Sequence, residues 1–475
     1  MTSSLRLVSP AGELAAAFAA LRDELGLVAE FPSDVEAEAL RAVADLRLPA
    51  ADGLGIPFVT IDPEGATDLD QALHLERHGD GYRVWYAIAD VPAFVAPGGA
   101  IDTEARRRGT TMYAPDGRIP LHPTRLSEDA ASLLPGQPRA AFVWVFELDS
   151  AADVASVTVS RSRVLSRRQY SYAEVQSEID ASTPVSGTAS GAISLLKEVG
   201  EKRIELERAR GGASLNRPDQ EVSEVDHVYR LERRKALPVE GWNAQLSLMT
   251  GMAAAKLMLD AGVGILRTMP APDAEAVERF RRQAEALGSP WAEGVAYGEY
   301  LRSLDSDDSH QLAIIHAAAS LFRGAGYTVV DGTPPEATIQ AAVGAPYAHA
   351  TAPIRRLVDR FALIVCDAIC AGTPIPDWVR EALPALPGIM ARSDDISSRL
   401  DHGAIDAVEA AILRDRVGDT FDATVISAHA KGGVIQLADP AVTADCDGAL
   451  EPGTVVRATL VTADVTKRML LFSVG

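Results

Sequence analysis

Three cysteines in 475 residues, Cys366, Cys370 and Cys446, are too few for a disulfide framework. Cys366 and Cys370 stand four apart in FALIVCDAIC, on one face of an apolar helix, where they read as small buried hydrophobes rather than a metal pair. No apolar run reaches about 18 residues without a charge, so no membrane span is expected. The first residues, MTSSLRLVSPAGELAAAF, lack a basic start followed by a long apolar stretch, so no secretory leader is expected either. A reduced, cytoplasmic setting follows. Positive charge is also in deficit, with 45 Lys and Arg against 66 Asp and Glu and a net charge of −21. Taken whole, that balance opposes nucleic-acid binding. The arginines cluster, however, at 106–108, 161–168, 208–210 and 355–356, which leaves room for a basic channel inside an acidic shell.

What the chain has is length and apolar content, 47% hydrophobic, enough for more than one domain. Residues 10–46 read as two helices, the first closed by Gly26 and the second opened by Ser33-Asp34. They suit either a helix-turn-helix-like module or a packing collar. Strands dominate from 58 to about 165, with a hairpin turning at Gly79-Asp80-Gly81. Helical periodicity follows from about 190 to 414, including APIRRLVDRFALIVCDAICAG and a last helix near 388–414. The final 57 residues return to short strands and glycine turns, the pattern of a small five-stranded barrel. Strands followed by helices make this an α+β chain. The expected division is a helical N-terminal module at 1–54, a strand-then-helix domain at 55–418 and a barrel at 419–475.

The chemistry is concentrated in IDPEGATDLDQAL at 61–73. A solvated acidic turn is one reading. Calcium is a second, but the EF-hand spacing is absent. A magnesium site for phosphoryl chemistry is the third. Asp62 ends a strand, PEGAT turns, and Asp68 and Asp70, two apart, would share a face. Three converging carboxylates need a cation to neutralise them.

FVTIDPEGATDLDQALHLE resembles the signature strand of the RNase II/RNase R (RNB) exoribonucleases. YAIADVPAFVAPGGAIDTEARRRGTTMYAPDGRIPLHPTRLSEDAASLLP, ARGGASLNRPDQEV, WNAQLSLMTGMAAAKLM and YAHATAPIRRLVDR resemble further blocks of that family, in order, over about 55–415. A terminal S1-type, RNA-binding barrel is expected with them. The resemblance implies a processive, magnesium-dependent 3′→5′ exoribonuclease that hydrolyses single-stranded RNA to nucleoside 5′-monophosphates. It also implies roles for particular residues. Asp62, Asp68 and Asp70 would be the metal-site acids, Tyr113 the aromatic that packs on a base, and Arg355 the arginine at the scissile phosphate, with Arg356 beside it on the RNA. Glu409 would be the acid of the late helix at the leaving end. Gln71 stands where the family has a fourth aspartate; an amide can ligate magnesium but brings no charge. No aromatic stands near ASLNRP to form the second wall of the base clamp, and His349 reads as structural.

Two N-terminal cold-shock barrels, usual in bacterial relatives, do not fit into the 55 or so residues before the signature. A more open channel mouth follows, able to admit duplexes with 3′ overhangs. A monomer is expected, with no protein partner inferred. The alternatives are a non-catalytic RNA-binding protein on the same fold and a DNA nuclease.

Overall fold

The computed structural model describes residues 5–6, 11–181, 190–213, 219–225, 228–318, 321, 323–437 and 442–475. Two closed five-stranded barrels dominate it. The first is formed by Phe58–Asp62, Gln71–His78, Gly81–Ala89, Pro138–Leu148 and Val154–Ser171, in that order. It closes through a parallel pairing that sets Asp62 opposite Ser171. The hairpin read from the sequence turns at Gly79, whose φ is +57°. Gly81 is needed for a different reason: a Cβ there would lie 1.9 Å from the Leu148 carbonyl oxygen of the neighbouring strand.

Alternate residues of these strands feed two separate cores, because side chains alternate across a strand. Leu73, Tyr86, Ile88, Phe142 and Trp144 pack with the helices Pro238–Ala261 and Leu357–Ala371. Ala72, Ala87, Ala89, Ala141 and Val143 pack with Val35 and Ala39 of the helix Ser33–Ala44, and with Phe94, Ile101 and Leu126. Where both faces of the barrel are buried, as at 86–89 and 139–144, the strands carry nearly continuous apolar runs.

The N-terminal helices are a collar. Ala11–Glu24 sets Leu14 and Phe18 against Ala404, Ala407 and Val408 of the long helix Leu386–Leu413, while Ser33–Ala44 covers the first barrel. Each buries its apolar face on the body of the chain.

The second barrel comprises Thr420–His429, Gly432–Leu437, Thr443–Asp447, Val455–Asp464 and Met469–Ser473. It is seated on the rest of the molecule. Ile426 and Val434 pack on the aromatic cluster of Phe280, Trp291 and Tyr300, and Val465 packs with Leu14 and Phe18. The α+β class and the terminal barrel agree with the sequence reading. One boundary differs. The helix expected from Ala352 begins at Leu357, because the Asp359 carboxylate accepts the N–H groups of Thr351 and Ala352, both at 2.8 Å, and holds 351–356 as an arch in front of the helix. Among the described residues no helix is long and apolar enough to cross a membrane.

Candidate active site

The acidic stretch is built as the pattern suggests, with one change. Asp62 ends its strand, the chain turns through Gly65 at φ +79°, and the next strand begins only at Gln71. Asp68 and Asp70 thus lie in the extended segment before it. Buried Leu69 between them is fixed by the Ser132 hydroxyl, which accepts its N–H at 2.9 Å, and by Leu133, whose N–H its carbonyl accepts at 3.0 Å. Anchoring Leu69 inward turns its two neighbours to the other side.

Each carboxylate has a distinct environment. Asp62 is mostly buried, and its Oδ2 has no hydrogen-bond partner. Burial, then repulsion from Asp68, pushes its carboxyl up to about 7 against the pull of Arg355. Asp68 accepts Arg118 Nη1 at 3.0 Å and the Tyr113 hydroxyl at 3.3 Å. Asp70 is buried; its Oδ1 accepts the Ile354 N–H at 2.8 Å, and its Oδ2 lies 3.7 Å from Arg355 Nε. Burial raises the Asp70 carboxyl well above its usual range, with Arg355 opposing.

The acids therefore gather around Arg355. The backbone of this arginine is clamped, since its carbonyl accepts the Thr110 hydroxyl at 2.7 Å and the Thr111 N–H at 2.9 Å. Its side chain is 44% exposed and can reach a ligand. Tyr113 sits two residues beyond that clamp, on the hairpin Met112–Ala114/Gly117–Ile119, and is 48% exposed. Burial and the nearby Asp68 carboxylate push its phenol up to about 12, so it stays a neutral, stackable ring.

Three expected site residues have other neighbours. Gln71 has its amide committed within the protein: Nε2 donates to the Thr351 carbonyl at 2.7 Å, and Oε1 accepts the Tyr86 hydroxyl at 2.7 Å and the Ser247 hydroxyl at 3.4 Å. It ties the strand to the arch rather than facing a ligand. Arg356 forms a two-pronged pair with Asp359 at 2.9 and 2.8 Å, and its side chain is only 17% exposed, so its charge is spent internally. Glu409 is buried on the long helix at a crevice of about 290 Å³ facing the second barrel, lined also by Asp406, Asp445 and Arg468 and by none of the acids at 62–70. Arg355 is likewise absent from the lining of that crevice.

Most of the clustered arginines have acidic partners, while Arg167 donates to the Leu54 carbonyl and Arg355 faces outward. Arg106 pairs with Asp102, Arg107 and Arg108 with Glu104, Arg161 with Asp90, Arg163 with Asp52, and Arg168 with Glu174. His349 packs edge-on against Tyr327 and Tyr347, and desolvation pushes its imidazole well below its ordinary pKa. Residues 214–218, where a second clamp wall was sought, lie outside the described residues. Sequence reasoning missed Arg118, which faces Tyr113 across the hairpin, and Tyr172, whose phenol feels Asp62 and whose oxygen is 3.5 Å from Asn243 Nδ2. The first was legible in MYAPDGRI, where a Pro-Asp-Gly turn sets the two side by side.

The donors at 62–70 are all oxygens, and a buried, unpartnered carboxylate oxygen beside a second acid suits a hard cation. Among the described residues, no three acidic, histidine or cysteine side chains stand close enough to hold an ion unaided. Magnesium is commonly bound by one or two carboxylates together with substrate phosphate, which a pair such as Asp62 and Asp68 fits.

Residues 52–368 match the RNB domain, and residues 419–475 match the RNase II-type exonuclease C-terminal S1 domain. Ribonuclease R of Escherichia coli is 28% identical over 346 residues, which are 70% of this chain and 41% of that protein. The chain spans less than half the length of the curated relatives it matches. The fold is that of Mycoplasma genitalium RNase R in its apo form, with a TM-score of 0.86 at 17% identity, covering 98% of this chain and 78% of that one. It is also that of yeast Ssd1, described as a pseudonuclease, with a TM-score of 0.73 at 17% identity, covering 98% of this chain and 58% of that one.

Proposed function

The chain belongs to the RNB family, and on that premise we propose that it is a magnesium-dependent 3′→5′ exoribonuclease that hydrolyses single-stranded RNA to nucleoside 5′-monophosphates. The observation that carries the reading is the exposed guanidinium of Arg355 beside buried Asp70, with Asp62, Asp68 and Tyr113 around it. Asp62 and Asp68, together with a substrate phosphate, would hold the ion. When bound, it supplies Lewis-acid polarisation of the phosphate and activation of the attacking water. Arg355 offers a planar fork to the phosphoryl oxygens as charge develops on them, and its clamped backbone means that little reorganisation accompanies the reaction. Asp70, fixed by the Ile354 N–H, sets where that fork lies. Tyr113 presents a neutral ring to the terminal base, an interaction worth roughly 1–3 kcal/mol.

The test is a 5′-labelled single-stranded RNA incubated with magnesium. Stepwise shortening from the 3′ end, with release of 5′-mononucleotides, is expected. A DNA oligonucleotide in parallel separates a DNA nuclease, and a duplex with a 3′ tail tests the open-mouth expectation. A second reading, RNA binding without hydrolysis, draws on the uncharged Gln71 and on the fold shared with a pseudonuclease. Retained binding of an uncut RNA would favour it.

A further inference from the structure

We propose that Arg118 is a positioning residue of the acidic centre, a built-in cation that fixes Asp68 beside Asp62 and locks the Tyr113 hairpin to the acidic turn. The proposal deepens the nuclease reading above and rests on it for the reaction itself.

The guanidinium reaches three acceptors on two chain segments, the acidic turn at 67–68 and Glu128. Nη1 donates to Asp68 Oδ1 at 3.0 Å, Nη2 donates to Thr67 Oγ1 at 3.0 Å, and Nη2 forms an ion pair with Glu128 Oε1 at 2.7 Å. Arg118 is the cross-strand partner of Tyr113, whose hydroxyl donates to the other Asp68 oxygen. One carboxylate is thus gripped by both strands of one hairpin. The hairpin is itself braced, since Asp116 at its turn accepts Arg22 Nη1 of the N-terminal helix at 2.5 and 2.6 Å. The Arg118 side chain is 30% exposed, so its ion pairs still meet solvent and contribute modestly to stability; this convergence is better suited to fixing direction than to holding the fold. Its electrostatic effect is specific. Asp62 and Asp68 repel one another, and Gln71 brings no charge to the site. Arg118 sets a positive charge 3.0 Å from Asp68 Oδ1, which offsets part of the negative charge of the centre and lowers its demand for added cation.

The two roles separate in experiment because charge and direction pull opposite ways. In Arg118→Ala, removing a cation next to the acids should tighten Mn²⁺ binding by the RNA-free protein, read from the free-ion electron paramagnetic resonance signal, by about threefold or more. Single-turnover cleavage of labelled RNA at saturating Mg²⁺ should nevertheless fall about tenfold or more, because Asp68 and Tyr113 lose their direction. Arg118→Lys keeps the charge but not the planar fork. It should bind Mn²⁺ as the wild type does and still cleave slowly. The melting temperature, followed by circular dichroism, should stay close to wild type in both.

Wild-type Mn²⁺ affinity together with wild-type cleavage in Arg118→Ala would overturn the proposal. So would parallel loss of Mn²⁺ binding, cleavage and melting temperature, which would make Arg118 a support of the fold alone. If the wild type itself leaves RNA uncut, the nuclease reading fails, while the Mn²⁺ comparison still decides the charge-balancing role.

Discussion

Asp70 is gripped from both sides of one arch: Oδ1 accepts the Ile354 N–H at 2.8 Å, and Oδ2 lies 3.7 Å from Nε of the next residue, Arg355. The carboxylate therefore sets the position of Arg355, whose side chain is 44% exposed. Asp70→Asn keeps the shape and removes the charge that draws Arg355 in. We expect hydrolysis to fall by about 10²-fold or more, on the scale of removing one hydrogen-bond donor from the transition state. Binding of an uncut RNA should persist, because one negative charge fewer faces the phosphates. Gel shift and cleavage assays on the same preparation check this, and a variant that cuts at the wild-type rate would refute the assignment of Asp70.

Asp62 makes a pH-dependent prediction. Its folded pKa, about 7, lies above the ordinary carboxylate value of 3.8, so the folded protein binds this proton more tightly than the unfolded chain does. The stabilising contribution is complete below the unfolded pKa and is lost as pH rises through about 7. Without divalent metal, Asp62→Asn should melt like the wild type near pH 4 and above it at pH 8, by about 3 °C or more. Adding Mg²⁺ at pH 8 should raise the wild-type melting temperature more than that of the variant. Equal melting of the two at pH 8 would mean that Asp62 ionises without strain.

Tyr113 separates stacking from hydrogen bonding. Tyr113→Ala removes the ring and should weaken RNA binding by about 1–3 kcal/mol, measured by fluorescence anisotropy with a short labelled RNA. Tyr113→Phe keeps the ring and gives up only the 3.3 Å hydrogen bond to Asp68, so its affinity should stay within about twofold of wild type. Equal losses in the two variants would place the hydroxyl, not the ring, on the RNA.

The parts of this site that the sequence disclosed are those written in local spacing. Asp62, Asp68 and Asp70 stand out because acids between apolar runs break the pattern of a core strand, and the glycine turns and alternation of the terminal barrel are equally local. The parts that stayed hidden depend on pairings across the chain. Gln71 is paired with Thr351, 280 positions away, and nothing near it in sequence reveals that bond. Glu409 faces the barrel because of the rotational phase of a 28-residue helix, which a loosely matching segment does not fix. Arg356 is the instructive case: Asp359, three residues on, was visible, and an i,i+3 pair at a helix start was reason enough to expect an internal partner.

The second barrel provides the last test, because its surface departs from what binding a single strand requires. Such barrels combine a positive groove with aromatic platforms. Residues 419–475 contain two aromatics, Phe421 and Phe472, and both are in the barrel core, packed edge-to-face at 5.7 Å. The segment has seven Asp and Glu against four Lys and Arg. Of the four, Arg457 approaches Asp422, Lys467 pairs with Asp464, and Arg468 pairs with Glu24 of the N-terminal helix. Phosphate is therefore poorly served here, while the apolar seats around Ile426, Val434 and Val465 are well made. We expect the barrel to act as an abutment for the catalytic body, with little part in RNA affinity. Reversing two of its exposed charges, Lys431→Glu with Arg457→Glu, should change the affinity for a long single-stranded RNA by less than about threefold at moderate salt. The slope of log affinity against log salt should also stay within about half a unit of wild type, since every phosphate left without its cation would flatten it by about 0.7. A tenfold loss with a flatter slope would show that RNA runs across the barrel after all.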